Sequence, residues 1–135
     1  TLLLDILKAV LPIIYVKLNY PEFIYICSLS VFLGHVFPIW LKFKGGKGVA
    51  TYVGILIILN YFLGIVFGIV WVITYLISKY SSLGSILGSL SVPIFIFFYS
   101  NDNIMFYFIM FILIFYTHRE NVKRLINKEE TKTKI

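Results

Sequence analysis

Three lysines and three glycines fall within residues 42–48, between two long hydrophobic runs. Glycines allow neighbouring backbone N–H groups to point the same way, and lysines add positive charge beside them. The apolar residues from Val49 onward predict the start of a helix, whose N-terminus carries a partial positive charge. A hydrocarbon core penalises unpaired charges, which places the stretch at a membrane surface or in a polar cavity. All these features favour binding of a phosphate or a carboxylate.

A second polar group begins at His118, where the last apolar run ends. Asn121 follows three residues later, on the same face of a helix. Histidine exchanges a proton near neutral pH, and asparagine can orient a substrate or a phosphate. Two interpretations stay open. The pair is either part of a site, or a polar helix end that caps the membrane span and binds lipid headgroups.

Other polar residues have structural alternatives as well. Glu120 faces away from His118 and is expected to pair with Lys123 or Arg124, which is a structural role. His35 precedes a helix-breaking proline close to the lysines. It is either a second site residue that binds substrate or a hydrogen bonder at a helix end.

Asp5 and Lys8 lie three residues apart, on one helical face near one end of the first apolar segment. They form either a salt-bridged pair at the membrane interface or part of a polar cavity.

The composition predicts an integral membrane protein. The 135 residues are 60% hydrophobic and only 13% charged, with a mean hydropathy of +0.94. The net charge of +6 comes from residues between and after apolar runs, which indicates membrane orientation and not nucleic-acid binding. The nucleotide-binding pattern G-x-x-x-x-G-K-[ST] is absent, and two histidines with few carboxylates offer no metal-ligand spacing. We expect no metal or other cofactor.

About six apolar segments follow one another, at residues 1–18, 23–40, 49–59, 62–78, 83–99 and 104–116. They predict an all-α fold, a polytopic integral membrane helical bundle. The 49–59 segment reaches only roughly half-way across a ~30 Å core. Residues 1–126 are predicted to form a single transmembrane domain, and 127–135 a charged, disordered cytoplasmic tail.

The distribution of the charged residues predicts how these segments are oriented in the membrane. If they alternate sides, one side has only Lys17, and the other carries Lys42, Lys44, Lys47, Lys79, Arg119, Lys123, Arg124, Lys128, Lys132 and Lys134. The positive-inside rule makes the second side cytoplasmic. The Lys/Gly stretch and the His118 segment are then expected to face the same compartment, where they can meet.

These strings, with their order and spacing, resemble the bacterial acyl-phosphate:glycerol-3-phosphate acyltransferases, the PlsY family. Residues 34–38 (GHVFP) and 43–51 (FKGGKGVAT) look like the family's second motif, and 118–121 (HREN) looks like its third. Residues 4–8 (LDILK) resemble the segment after the first motif. The family's first span and first motif have no counterpart here. Since the chain opens at Thr1, we expect its beginning to be missing. Without the first motif, we expect this chain by itself not to be fully active.

The resemblance implies a seven-span bacterial inner-membrane enzyme with its site and C-terminus in the cytoplasm. It transfers a fatty acyl group from acyl phosphate to the sn-1 hydroxyl of glycerol 3-phosphate, giving lysophosphatidic acid and phosphate. Acyl phosphate has a good leaving group, so the protein must mainly align two phosphorylated molecules and stabilise charge. The alternative is a non-enzymatic transporter or scaffold subunit whose basic loop binds anionic lipids.

The candidate residues divide by chemistry. Phosphate binding suits the amides of Gly45, Gly46 and Gly48 together with Lys47, with Lys44 a weaker candidate. Proton removal from the hydroxyl, or hydrogen bonding to the phosphate, suits His118, and orientation of the substrate suits Asn121. A substrate phosphate is an alternative base, and the acyl chain is expected to lie between apolar helices.

Overall fold

The computed structural model describes residues 2–133, and over that range the chain is helical, with no strand. The α-helices are α1 (Leu2–Asn19), α2 (Ile24–Val36), α3 (Val49–Ser78), α4 (Ser81–Tyr99), α5 (Ile104–Thr117) and α6 (Arg119–Ile126). Short 3-10 turns at Pro21–Phe23 and Ile39–Leu41 flank α2. The all-α prediction is confirmed. The chain divides into two compact units, one ending at Gly64 and the other beginning at Ile65, and each is described by itself.

Each apolar segment predicted from the sequence contains a helix within residues 2–133, and the segments 49–59 and 62–78 both lie in α3. Within residues 2–133, three stretches are long and apolar enough to cross a membrane, and α5 is a shorter apolar helix. The three stretches are Pro21–Leu41, Val49–Ser78 and Ser81–Tyr99. Helix α1 is also largely apolar, and it carries Asp5, Lys8 and Lys17.

A break divides α3 at Asn60, whose φ of −158° and ψ of 103° are not helical. The Asn60 side-chain oxygen accepts a hydrogen bond from the Phe62 backbone N–H at 3.1 Å and caps the half of the helix that follows. The first half of α3 ends just before the break, where carbonyl groups lack helical partners. One of them, the Ile58 carbonyl, accepts a hydrogen bond from the Lys17 ammonium of α1. The turn predicted at residues 60 and 61 is therefore confirmed.

In the first unit, α1 packs against α2. A proline shapes the end of α2, because the residue before a proline is excluded from the helical region. Phe37 accordingly has a ψ of 58° and Pro38 a ψ of 128°. The chain then leaves the helix and enters the Lys/Gly stretch.

In the second unit, Gly84 and Gly88 bring α4 close to the second half of α3, as their four-residue spacing predicts. A Cβ atom on Gly84 would lie 3.1 Å from the Trp71 carbonyl oxygen, and one on Gly88 would lie 3.0 Å from the Phe67 ring. The Trp71 indole N–H also donates to the Ser85 hydroxyl at 3.2 Å.

The turn between α4 and α5 is held by its own polar side chains. The Asn103 side chain accepts from the Phe106 backbone N–H at 3.3 Å and caps α5. The Tyr107 hydroxyl donates to the Asp102 carboxylate at 3.1 Å. Helices α4 and α5 therefore pack side by side over a well-defined connection.

The segment after α6 follows a defined path. The Thr133 backbone N–H donates to the Lys79 carbonyl at 3.1 Å, and Glu130 is bound by side chains of α4 and α6. The disorder predicted from residue 127 is therefore wrong for 127–133. The charged composition of this segment predicts solvated side chains, but the Glu130 carboxylate has fixed partners. Lys134, which the sequence places in the cytoplasmic tail, lies outside the described residues.

Candidate functional site

The Lys/Gly stretch folds back onto the end of α2. Lys42 and Phe43 have left-handed φ values of 52° and 62°, which reverse the chain direction. The Gly45 N–H then donates to the Val36 carbonyl at 3.0 Å. A Cβ atom on Gly45 would lie 2.1 Å from the His35 carbonyl oxygen. No side chain fits there, so the close approach of two backbones requires glycine.

The other two glycines are required for separate reasons. A Cβ atom on Gly46 would lie 2.5 Å from Nε2 of His35. Gly48 has a φ of 81°, and a Cβ atom there would lie 2.4 Å from the Phe32 ring. The backbone of this turn therefore lies directly against α2. Helix α3 begins at the next residue, Val49, as the sequence predicts.

A pocket of about 260 Å³ lies in the first unit beside this turn. Residues of α1, of α2 and of the turn contribute to its lining, among them Asp5, Lys8, His35, Lys44, Gly45 and Gly46. The pocket therefore brings together four of the predicted substrate-binding residues with the Asp5–Lys8 pair. Lys47 is exposed on the same loop and is not among the lining residues, whereas the sequence ranks it above Lys44.

Both interpretations of the α1 charges apply. The Lys8 ammonium lies 3.1 Å from the Asp5 carboxylate, so the pair is a salt bridge, and both residues also line the pocket. The His35 side chain is only 10% exposed, and its Nδ1 lies 3.7 Å from the same Asp5 oxygen. That nitrogen is buried with no hydrogen-bond partner among the residues that the structure describes. His35 is thus part of the pocket wall.

The second unit carries the other predicted pair. His118 lies between α5 and α6 and is 2% exposed. Its Nδ1 lies 2.8 Å from the Ile114 carbonyl oxygen. Since a carbonyl only accepts, Nδ1 carries the proton, and the neutral ring has its lone pair on Nε2. This geometry holds the ring in the tautomer that a general base needs.

Asn121 is tied to a residue that the sequence did not single out. Its side-chain NH₂ donates to Oε1 of Glu130 at 2.7 Å. The Ser82 hydroxyl donates to the same oxygen at 2.7 Å, and Arg124 Nε donates to Oε2 at 2.7 Å. One carboxylate from the C-terminal segment thus joins α4 to α6. The arrangement orients the Asn121 amide.

This carboxylate is strongly acidic. Burial alone would raise the pKa of Glu130. The hydrogen bonds from Asn121, Ser82 and Arg124 and the Arg124 charge outweigh that effect and lower the pKa to about 2. Glu130 is therefore ionised at every physiological pH.

Glu120 has the exposed pairing that the sequence predicts. Its carboxylate lies 3.4 Å from Lys123, and both side chains are more than half exposed. Such pairs contribute little to stability. The carboxylate that holds this region together is Glu130, three residues beyond the point where the sequence predicts disorder. Charge composition gives no indication of it, because its three partners are Ser82 on α4 and Asn121 and Arg124 on α6, which only folding brings to the same carboxylate.

An apolar groove of about 360 Å³ lies in the second unit, where α4 ends and α5 begins. Its walls include Pro93, Ile94, Phe97, Ile104, Met105 and Phe108. From Phe108, a row of phenylalanines runs along α5. The ring centroids of Phe108 and Phe111 are 6.4 Å apart, and those of Phe111 and Phe115 are 6.1 Å apart. His118 is three residues after Phe115, at the C-terminal end of α5.

Each unit therefore carries one group of the predicted residues. His35, Lys44, Gly45 and Gly46 share the pocket of the first unit. His118 and Asn121 occupy the start of α6 in the second, the former held by α5 and the latter by Glu130.

Comparison with known proteins gives a consistent result. The family model described as glycerol-3-phosphate acyltransferase matches residues 1–128. A glycerol-3-phosphate acyltransferase of Pelagibacter ubique (strain HTCC1062) is 73% identical over 135 residues, covering 100% of this chain and 71% of the relative. One from Rhodopseudomonas palustris (strain TIE-1) is 43% identical over 108 residues, covering 79% of this chain and 53% of the relative.

Solved structures agree in fold. Two crystal structures of PlsY (YgiH), an integral membrane glycerol 3-phosphate acyltransferase, match with a TM-score of 0.88 and 30% sequence identity. One is the glycerol 3-phosphate form and the other the lysophosphatidic acid form. Each match covers 98% of this chain, with 69% of the first structure and 70% of the second.

Proposed function

Because this chain belongs to the glycerol-3-phosphate acyltransferase family, we propose that it transfers a fatty acyl group from acyl phosphate to the sn-1 hydroxyl of glycerol 3-phosphate. The products are lysophosphatidic acid and inorganic phosphate. The observation that carries the proposal is the turn at Gly45 and Gly46. Its backbone lies against α2 with no room for side chains, beside a pocket that also holds Lys44. Backbone amides and an ammonium group are what a phosphate requires.

The reaction needs no enzyme nucleophile. Acyl phosphate is a mixed anhydride, so the hydroxyl oxygen of glycerol 3-phosphate attacks the acyl carbon directly. A C–O ester bond forms, the bond from the acyl carbon to the phosphate oxygen breaks, and phosphate leaves with the bonding electron pair. The protein contributes alignment of the two substrates and positive groups beside the leaving oxygen.

The proton of the hydroxyl needs an acceptor. Nε2 of His118 has the lone pair for this role, because Nδ1 donates to the Ile114 carbonyl. A phosphate oxygen of either substrate is the other acceptor. Asn121, whose amide is oriented by Glu130, suits the positioning of a substrate oxygen near the histidine.

The phosphate of glycerol 3-phosphate suits the first unit. Lys44 lines the pocket. Lys47 follows three residues later, and its flexible side chain can bring the ammonium group to a bound anion. The Gly45 N–H predicted for phosphate binding donates to the Val36 carbonyl instead, so the uncharged donor that suits the phosphate beside these ammonium groups is the Gly46 amide.

The acyl chain suits the apolar groove of the second unit. The row Phe108, Phe111 and Phe115 joins that groove to the region of His118. From Met105 to His118, the helix rises about 20 Å at 1.5 Å per residue. A long fatty chain whose carbonyl lies near His118 can therefore run along α5 with its methyl end in the groove.

The membrane context follows from the same proposal. The chain is a membrane protein, since its helices are long and apolar and its structural neighbours are integral membrane proteins. We place it in the bacterial inner membrane, with the Lys/Gly turn and the C-terminus in the cytoplasm. The positive residues that follow the apolar segments support this orientation.

Acyl transfer in isolated membranes tests the function, with synthetic acyl phosphate and glycerol 3-phosphate as substrates. The assay is run on this chain and on a version joined to the N-terminal segment of the Pelagibacter relative. Lys44→Ala and Lys47→Ala are each expected to raise the KM for glycerol 3-phosphate about tenfold or more, since each removes a charged hydrogen-bond donor. Lys42→Ala, on the same loop but outside the pocket lining, is the control.

Unchanged kinetics in both lysine variants would remove this loop from the phosphate site. If both versions fold and neither transfers an acyl group, the enzymatic proposal fails. Flux of glycerol 3-phosphate into sealed vesicles without acyl transfer would then favour the transporter interpretation.

A further inference from the structure

A carboxylate lies in the wall of a pocket that otherwise suits an anion. Asp5 lines the pocket of the first unit together with Lys44 and the glycine turn. An isolated negative charge there would repel a phosphate. Lys8, one helical turn along α1, lies 3.1 Å from the Asp5 carboxylate and cancels most of its charge. Because the two charges are paired, Asp5 repels a bound phosphate less than an isolated carboxylate would.

His35 lies between Asp5 and the turn. On one side, its Nδ1 is 3.7 Å from the Asp5 carboxylate oxygen. That nitrogen is buried and has no hydrogen-bond partner within the described part of the chain, and the whole side chain is 10% exposed. On its other side, Nε2 fills the space where a Cβ atom of Gly46 would lie, at 2.5 Å. The ring is therefore packed against the turn and limits the positions that the Gly46 backbone can take.

The distance of 3.7 Å is too long for a hydrogen bond, which needs roughly 3.2 Å or less. A shift of about half an ångström would close it, and contacts in catalytic sites often tighten in this way when substrate binds. We propose that Asp5 is a positioning residue that acts through His35. On substrate binding, Nδ1–H of His35 donates to Asp5, and the ring fixes the Gly45–Gly46 turn in the shape that binds the substrate phosphate. This rests on the proposed function and assigns a role to a residue pair outside the turn itself.

A double-mutant cycle tests the connection, with KM for glycerol 3-phosphate as the readout. Asp5→Asn is expected to raise KM about fivefold, the size of one hydrogen bond, and to change kcat less than twofold. His35→Phe keeps a ring against Gly46 and removes the N–H. In that background, Asp5→Asn is expected to have no further effect. Glu22→Gln makes the same acid-to-amide change at an exposed position of the first unit and serves as the control.

A second pair of variants covers the case in which His35→Phe does not fold. Lys8→Gln leaves the Asp5 carboxylate without its partner and is expected to raise KM. The same change in the Asp5→Asn background is expected to have little effect, because no carboxylate is left to repel the phosphate. A merely structural role for the pair would instead lower the melting temperature with independent effects on KM.

Direct binding of glycerol 3-phosphate, measured by titration calorimetry on the purified protein, separates this inference from the proposed function. Additive effects of Asp5→Asn and His35→Phe on KM and on Kd would overturn the inference and leave the acyl transfer standing. Coupled effects on Kd in a protein that folds but transfers no acyl group would support the inference and overturn the function. An unmutated protein that binds no glycerol 3-phosphate would overturn both.

Discussion

The hydrogen bonds from three donors to Glu130 allow a quantitative prediction of how strongly this residue holds the C-terminal segment in place. Its side chain is 9% exposed, and its pKa falls from an ordinary value of 4.5 to about 2. That difference corresponds to about 3 kcal/mol of preference for the ionised form in the folded protein. Glu130→Gln replaces the carboxylate with a neutral group of similar shape, which mimics the protonated acid. The variant is therefore expected to lose about 3 kcal/mol of the free energy that holds residues 127–133 in place.

Amide hydrogen exchange measures this loss locally. The Thr133 N–H donates to the Lys79 carbonyl, and the Glu130 N–H donates to the Arg124 carbonyl. Both amides are protected only while the segment is bound. At pH 7, Glu130→Gln is expected to reduce their protection about a hundredfold, the factor that corresponds to about 3 kcal/mol. Glu129→Gln, the adjacent exposed glutamate, is the matched control and is expected to change protection little.

The pH dependence provides the sharper criterion. The pKa of Glu130 is lower in the folded protein, so its contribution is complete above about pH 4.5 and disappears as the pH falls toward about 2. The ratio of exchange rates between variant and unmutated protein cancels the intrinsic effect of pH on exchange. This ratio is expected to be constant above pH 5 and to fall toward one near pH 2. A ratio that stays the same from pH 7 to pH 3, or a change below threefold at pH 7, would refute the reasoning.

Three further predictions concern the substrates. Gly45→Ala places a Cβ atom 2.1 Å from the His35 carbonyl oxygen and is expected to raise the KM for glycerol 3-phosphate at least tenfold, whereas Gly68→Ala, where a Cβ atom meets nothing within 4 Å, is expected to be silent in the same assay. Ile94→Trp fills the apolar groove and is expected to shift the preferred acyl phosphate to a shorter chain in a chain-length series, with Ile73→Trp, at a similarly exposed apolar position, as the control; an equal loss at all lengths would remove the groove from the acyl site. His118→Gln is expected to lower kcat about a hundredfold if Nε2 accepts the proton, and a rate that is unchanged would assign the proton to a substrate phosphate.

The helices could be predicted because they depend on local and one-dimensional properties. Runs of apolar side chains identify membrane segments wherever they occur, and residues such as Asn60 and Pro38 interrupt helices through their own backbone preferences. The close approach at Gly84 and Gly88 followed from spacing alone, because residues four apart share a helical face.

The candidate residues were also within reach of the sequence, since amides, ammonium groups and an imidazole have chemistry that does not depend on their neighbours. Their ranking was not. The sequence favours Lys47 over Lys44, but the pocket is lined by Lys44. His35 could be read as a helix-end residue until the structure placed its ring against Gly46. Which side chain faces a cavity depends on the path of the chain reversal at Lys42 and Phe43, and no single residue encodes that path.

Only the tertiary structure gave Glu130 its partners. In sequence, it belongs to a charged segment with the composition of a disordered tail. In the folded chain, its carboxylate receives hydrogen bonds from Ser82 on α4 and from Asn121 and Arg124 on α6. The sequence by itself determined the membrane helices, the family motifs and the chemistry available to them, because these are properties of each segment. The structure decided which charges are compensated and which side chains are fixed, because those properties belong to pairs of atoms that only folding brings together.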